Sequence, residues 1–147
     1  MRVNVAFLSS DVGRLFRKRF AAAARPFGVT GAQWRMLALI QRDPGINQGV
    51  VAGWLEVEPI TAGRMIDRLE KLDLVERRHD PADRRQWRLH LTAKGADLMQ
   101  QMSGCAQAVI ADSVSGFSDD EHAQLVNLLD RMRTNLSEDP VLEANNG

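Results

Sequence analysis

The chain has 147 residues, enough for one domain with a real core or for a small module with helical extensions. Apolar residues make up 44% of it, Gly and Pro are too few for a disordered chain, and no apolar run approaches the roughly 18 residues of a membrane helix, so a soluble globular protein is expected. Its net charge is zero, which excludes a uniformly basic nucleic-acid binder and leaves the distribution of charge as the informative quantity.

From residue 5 to residue 20 the apolar residues Val5, Leu8, Val12, Leu15 and Phe16 recur at three- and four-residue steps, which predicts an amphipathic helix ending near Pro26 or Gly28. The basic start lacks a compact apolar stretch with a small-residue cleavage site and is read as part of the fold, not as an export signal. A second helix opens at Thr30, with Gln33 placed for a capping box, carries Trp34, Leu37 and Ile40 on one side, and stops at Asp43-Pro44-Gly45. A short third helix starts at Asn47, a good N-cap, and is expected to bury Val51, Trp54 and Leu55.

The fourth helix begins at Pro59, a residue suited to the first helical position. Ala62, Met65, Ile66, Leu69 and Leu72 fall on one arc of it, while Ile60, Gly63, Arg64, Asp67 and Lys71 face the other way, flanked by Thr61 and Arg68. Residues 75–78 and 86–91, with Trp87, Leu89 and Leu91 alternating against Arg88 and His90, predict a two-stranded hairpin around the turn-rich stretch 79–83.

Thr92 caps a long fifth helix to about Ser115 with Leu98, Met102, Ala106, Val109 and Ile110 inward. Ser118 and Glu121 form a second capping-box pattern, opening a sixth helix whose Leu125, Leu129, Met132 and Leu136 make a short coiled-coil-like seam. Residues 138–147 read as a frayed tail.

Charge divides along the same lines. Residues 1–28 hold six basic residues and one acid, residues 77–94 six basic residues and two acids, and residues 112–143 eight acids and two arginines. These are two basic regions and an acidic one, or simply solvated faces. Short helices followed by a basic hairpin give a mainly α fold with a small β-hairpin, a winged helix-turn-helix. The stripes of the first, fifth and sixth helices exceed what that module can cover, and a second copy of the chain would bury them.

The stretch 55–95 resembles the MarR family, and its SlyA-like branch in particular. The family pattern of a recognition helix, then L-x-x-x-G-L-V-x-R, D-x-x-D-R-R and L-T-x-x-G, is matched by Leu69, Leu74-Val75, Arg77, Asp80, Asp83-Arg84-Arg85 and Leu91-Thr92-Ala93-Lys94-Gly95. Asp73 stands where the family turns with glycine, and aspartate tolerates the left-handed conformation such a turn needs. The helical order outside this stretch matches as well, so the resemblance spans nearly the whole chain. It implies one domain over 1–147, with 29–95 as the winged module and 1–28 and 96–138 as dimerisation helices. It also implies a homodimeric, cytoplasmic regulator, associated with the nucleoid when bound, that represses from a pseudo-palindromic double-stranded operator and is released by a small aromatic or phenolic ligand or by oxidation.

On DNA, Arg64 would bind a guanine bidentately, Thr61 would reach a phosphate or thymine methyl, Gly63 would permit close approach, and Arg68 lies beside them. By resemblance Asp83 braces an arginine at the wing tip; Arg85 is the first choice for insertion into the minor groove and Arg84 the reserve. Arg77, Arg78 and Arg88 would hold phosphates, and at the start of the third helix, which Asn47 and Gln48 open, backbone N–H groups can bind phosphate as well. Phe7, Arg14, Phe16, Trp34 and Met36 would line the implied ligand pocket, with core packing as their other reading.

Other chemistry is thin. Cys105 sits mid-helix near the inward stripe and reads as buried and inert rather than as a redox sensor. His79, His90 and His122 lack metal-ligand spacing, although the first two could face each other across the hairpin; no metal or cofactor is expected. No nucleophile with a base and no phosphate loop is present, so no enzymatic activity is expected. Beside the repressor stand an activator that displaces another DNA-bound protein and a helical dimeric adaptor that binds a protein partner.

Overall fold

A computed structural model describes residues 3–137; the start of the expected N-terminal region (residues 1–2) and the tail at 138–147 lie outside them. The elements in order are α1 (Val5–Ala24), a 3-10 turn (Arg25–Phe27), α2 (Gly31–Arg42), β1 (Ile46–Asn47), α3 (Gln48–Leu55), α4 (Pro59–Lys71), β2 (Val75–His79), β3 (Trp87–Leu91), α5 (Ala93–Ser113) and α6 (Asp119–Ser137). The fold is mainly helical with a small antiparallel sheet, a winged helix-turn-helix. It divides into two compact units, one up to Val109 and one from Ile110.

Local chemistry sets the helix starts. The Thr30 hydroxyl accepts from the Gln33 N–H at 3.0 Å while the Gln33 side chain accepts from the Thr30 N–H at 2.9 Å. Ser118 and Glu121 repeat the arrangement, and the Ser118 N–H donating to its carboxylate holds Glu121 below the usual carboxylate range. Asn47 caps α3 through Gly49 N–H, and Thr92 caps α5 through Gly95 N–H. Each such cap contributes about 1 kcal/mol. Asn4, unread in the sequence, does the same for α1.

The sheet has three strands, not two: β1 pairs with β3 (Ile46 opposite Leu89), giving the order β1-β3-β2. Two residues are too few to show an alternation, so the Asp43-Pro44-Gly45 turn read only as a helix stop. Across β2 and β3, Val75 faces Leu91, Arg78 faces Arg88, His79 faces Trp87 and Glu76 faces His90. The two histidines are therefore not opposite each other.

In the first unit the core gathers Met36, Leu37, Ile40, Val51, Ile66, Leu69, Leu89 and Met102, all without solvent exposure. Leu72 leaves the core arc of α4 because it is the C-cap of the helix, and it is exposed. Trp54 is 50% exposed instead of buried, its ring covered by the Arg42 guanidinium 4.9 Å away. The stripe Val5, Leu8, Val12 and Leu15 on α1 is exposed. In the second unit Ile110, expected inward, is exposed; so are Leu125, Leu129 and Leu136, with Met132 half-buried. Among the described residues no helix is long and apolar enough to cross a membrane.

The turn after α4 is held by the start of α5. Asp73 takes the left-handed conformation (φ 58°) that its place in the turn demands. The carbonyls of Leu72, Asp73 and Leu74 accept from Lys94 Nζ, Thr92 Oγ1 and Thr92 N–H respectively. Gly95 lies so close that a Cβ there would stand 2.1 Å from the Leu74 carbonyl oxygen.

Candidate nucleic-acid interface

Burial of Ala62, Ile66 and Leu69 fixes which side of α4 faces inward. Thr61, Arg64 and Arg68 are consequently exposed, and neither guanidinium has an ion-pair or hydrogen-bond partner among the described residues. Donors left free in this way are what base-edge readout needs. Gly63 is half-buried, with the Gln48 side chain of α3 beside it.

The wing carries its cations differently. Arg85, with a side chain 91% exposed, is held by Asp83: Nε donates to Oδ1 at 3.1 Å and Nη2 to Oδ2 at 3.4 Å. The Arg84 guanidinium is exposed and without a partner among the described residues, while its backbone carbonyl accepts from His79 Nδ1 at 2.9 Å. A carbonyl can only accept, so His79 carries its proton on Nδ1. The His79 ring stacks on Trp87 at 4.1 Å.

Arg88 pairs with Asp80 at 3.2 Å, and Arg78 with Glu76. Asp80 is buried in the turn, where it accepts from Ala82 N–H at 2.8 Å. That bond, helped by Arg88 and opposed by burial, holds its carboxyl below the usual range.

The Arg77 guanidinium, expected at a phosphate, is engaged within the protein, and so are the side chains of Asn47 and Gln48 at the start of α3. Asn47 caps α3 with its oxygen and donates from Nδ2 to Gln86 Oε1 at 2.6 Å, which ties the wing to α3. Gln48 Oε1 accepts from Arg77 Nε at 3.1 Å. Arg77 also donates to the Gly63 carbonyl, Asp67 and Glu70, leaving its side chain 15% exposed. Nothing in the sequence assigns these roles to Gln86 or Asp67, because their contacts join distant segments and leave no local signal.

A cleft of about 370 Å³ lies among α1, α2 and the first part of α5. Phe20, Trp34, Ala38, Met99 and Ala106 form an apolar wall, with Arg35, Gln41, Ser103 and Gln107 as polar points. Phe20 meets Trp34 edge to face at 5.3 Å. Of the five residues expected at a ligand pocket, only Trp34 lines this cleft. Phe16 stacks behind Phe20, Met36 is fully buried in the core, and Phe7 and Arg14 are exposed on α1, where Arg14 pairs with Asp11. Cys105 is half-buried at the edge of the core. Among the described residues no three His, Cys, Asp or Glu side chains gather as a metal site.

Comparison with known proteins supplies the context. A family model described as MarR family matches residues 27–86. The chain is 28% identical to a putative transcriptional regulatory protein for the hcr operon of Thauera aromatica, covering 90% of this chain and 85% of that protein. It is 30% identical to the uncharacterized HTH-type transcriptional regulator YsmB of Bacillus subtilis, covering 82% and 77%. A MarR transcriptional regulator from Methanosarcina mazei Go1 superposes with a TM-score of 0.80 at 28% identity, covering 89% of this chain and 94% of that one. A mutant of MarR from E. coli, solved in complex with operator DNA, superposes at 0.72 with 26% identity, covering 87% and 92%. Sequence motif, winged fold and full-length likeness agree: the chain belongs to the MarR family of DNA-binding transcriptional regulators, proteins that are not enzymes.

Proposed function

We propose that this regulator is a cytoplasmic homodimeric repressor that grips a pseudo-palindromic operator with α4 in the major groove and the wing tip in the minor groove. The carrying observation is the pairing of unpartnered Arg64 and Arg68 on α4 with a wing tip that presents Arg84 and a carboxylate-braced Arg85. The operator complex of the E. coli MarR mutant supports the choice of ligand. The exposed apolar stripes of α1 and α6 support the dimer. Half-sites then lie about one helical turn apart, on the order of 10 base pairs between centres. The apolar cleft with its Phe20–Trp34 corner suits a small aromatic or phenolic ligand that releases the DNA.

Titration against the DNA upstream of the gene, at several salt concentrations and beside an unrelated duplex, tests this. Nanomolar preference for the upstream DNA that falls steeply with salt is expected. Weak, equal binding to both duplexes would remove that DNA as operator, and failure to select any duplex from a random-sequence pool would overturn the reading.

A further inference from the structure

We infer that Arg77 is a positioning residue that sets the orientation of the recognition helix, and that it is not a phosphate contact. The inference rests on the reading of α4 and the wing as the DNA-contacting elements. One guanidinium spans three elements. From β2 it reaches α3 through Gln48 Oε1 at 3.1 Å, and α4 through the Gly63 carbonyl at 3.0 Å, Asp67 Oδ1 at 2.6 Å and Glu70. All three of its nitrogens are engaged, and two carboxylates beside it would repel a phosphate. The other arginines of the sheet and wing that hold an acid, Arg78, Arg85 and Arg88, have side chains between 48% and 91% exposed; that of Arg77 is 15% exposed.

The geometry has two effects on the outward face of α4. Gly63, whose carbonyl Arg77 holds, immediately precedes Arg64, so the clamp fixes the helix where its exposed cation projects. The cation also neutralises Asp67 and Glu70, which would otherwise present negative charge beside that face. Lysine cannot replace the planar fork, because a single ammonium cannot hold a carbonyl, an amide oxygen and two carboxylates in this spread.

The test uses the full chain and two probes: a duplex that the wild-type chain selects from a random-sequence pool, and an unrelated duplex of equal length. Arg77→Lys and Arg77→Gln are both expected to lose about 30-fold or more of the preference for the selected duplex. Their affinity for the unrelated duplex, and its slope against salt, should stay at wild-type values. Retained preference in Arg77→Lys, or a slope lowered by about 0.9 for each lost contact in Arg77→Gln, would show a phosphate contact and overturn the inference. Circular dichroism and thermal unfolding check that the variants fold. Should they not, the double variant Asp67→Asn with Glu70→Gln releases the same clamp from its other side. It is expected to bind the unrelated duplex more tightly yet lose about tenfold in preference; unchanged preference overturns the inference. If the wild-type chain selects no duplex, the proposed function fails and takes this inference with it.

Discussion

The recognition helix and the wing present cations toward the same inferred partner by opposite means. On α4, Arg64 and Arg68 carry no acid, because a regular helix packed through Ala62, Ile66 and Leu69 already aims them. On the hairpin, Arg78 of β2, Arg88 of β3 and Arg85 in the turn between them each hold a carboxylate, while Arg84 at the tip holds none among the described residues. Preorganisation comes from backbone packing in the first case and from local charge in the second. Bases should therefore be read chiefly by the first set, while the second is tuned by its acids.

That contrast is sharpest at Arg64. Arg64→Ala removes a bidentate contact from both protomers, and at about 2 kcal/mol each this should cost roughly 1000-fold in operator affinity and relax specificity at one base pair of each half-site. Quantitative binding across a set of single-base operator variants checks it; uniform weakening at all positions would make Arg64 a phosphate contact. Next comes Arg85→Ala, expected to lose about 100-fold, from about 1.5 kcal/mol for each charged contact in two protomers, with the dimer intact by sedimentation. An equal loss in Arg84→Ala alone would move the groove-inserted role to that residue.

Asp83→Ala addresses the brace itself. It frees the Arg85 side chain and removes a negative charge, so preference for the operator should fall about tenfold while affinity for unrelated DNA rises. A fall on both probes alike would contradict the bracing role. The smallest effect belongs to Asp80. Its depressed value contributes stability that is fully present above about pH 4 and is lost as pH falls through the folded value. Wild-type thermal stability should drop more steeply below that point than that of Asp80→Asn, and identical slopes would remove Asp80 as the source.

Much of the fold was legible in the sequence because its signals are local. Thr30 with Gln33, Ser118 with Glu121, Asn47, Thr92 and Asp73 each announce a helix end or turn within three residues, and the structure places a cap or a left-handed residue at each. β1 was not legible, since Ile46-Asn47 becomes a strand only by pairing with Leu89 and Arg88 far along the chain. Trp54 misled because an indole on a short helix reads as core, whereas Arg42 from α2 covers it at the surface. The same limit applies to the candidate interface. Exposure of Thr61, Arg64 and Arg68 follows from the period of α4 alone. The commitment of Arg77, Asn47 and Gln48 follows from partners on other elements, as does the contribution of Met99 and Ala106 to a cleft wall.

Gly95 gives the molecule a rigid bearing. With no side chain between them, the backbone of α5 rests directly against the Leu74 carbonyl, and the three carbonyls that end the recognition helix and its turn are tied to Thr92 and Lys94. Met99 and Ala106, on the cleft wall, stand about 6 and 16 Å further along the same helix at 1.5 Å per residue. Helix α5 thus joins, as one continuous element, the wall of the cleft to the turn that ends α4.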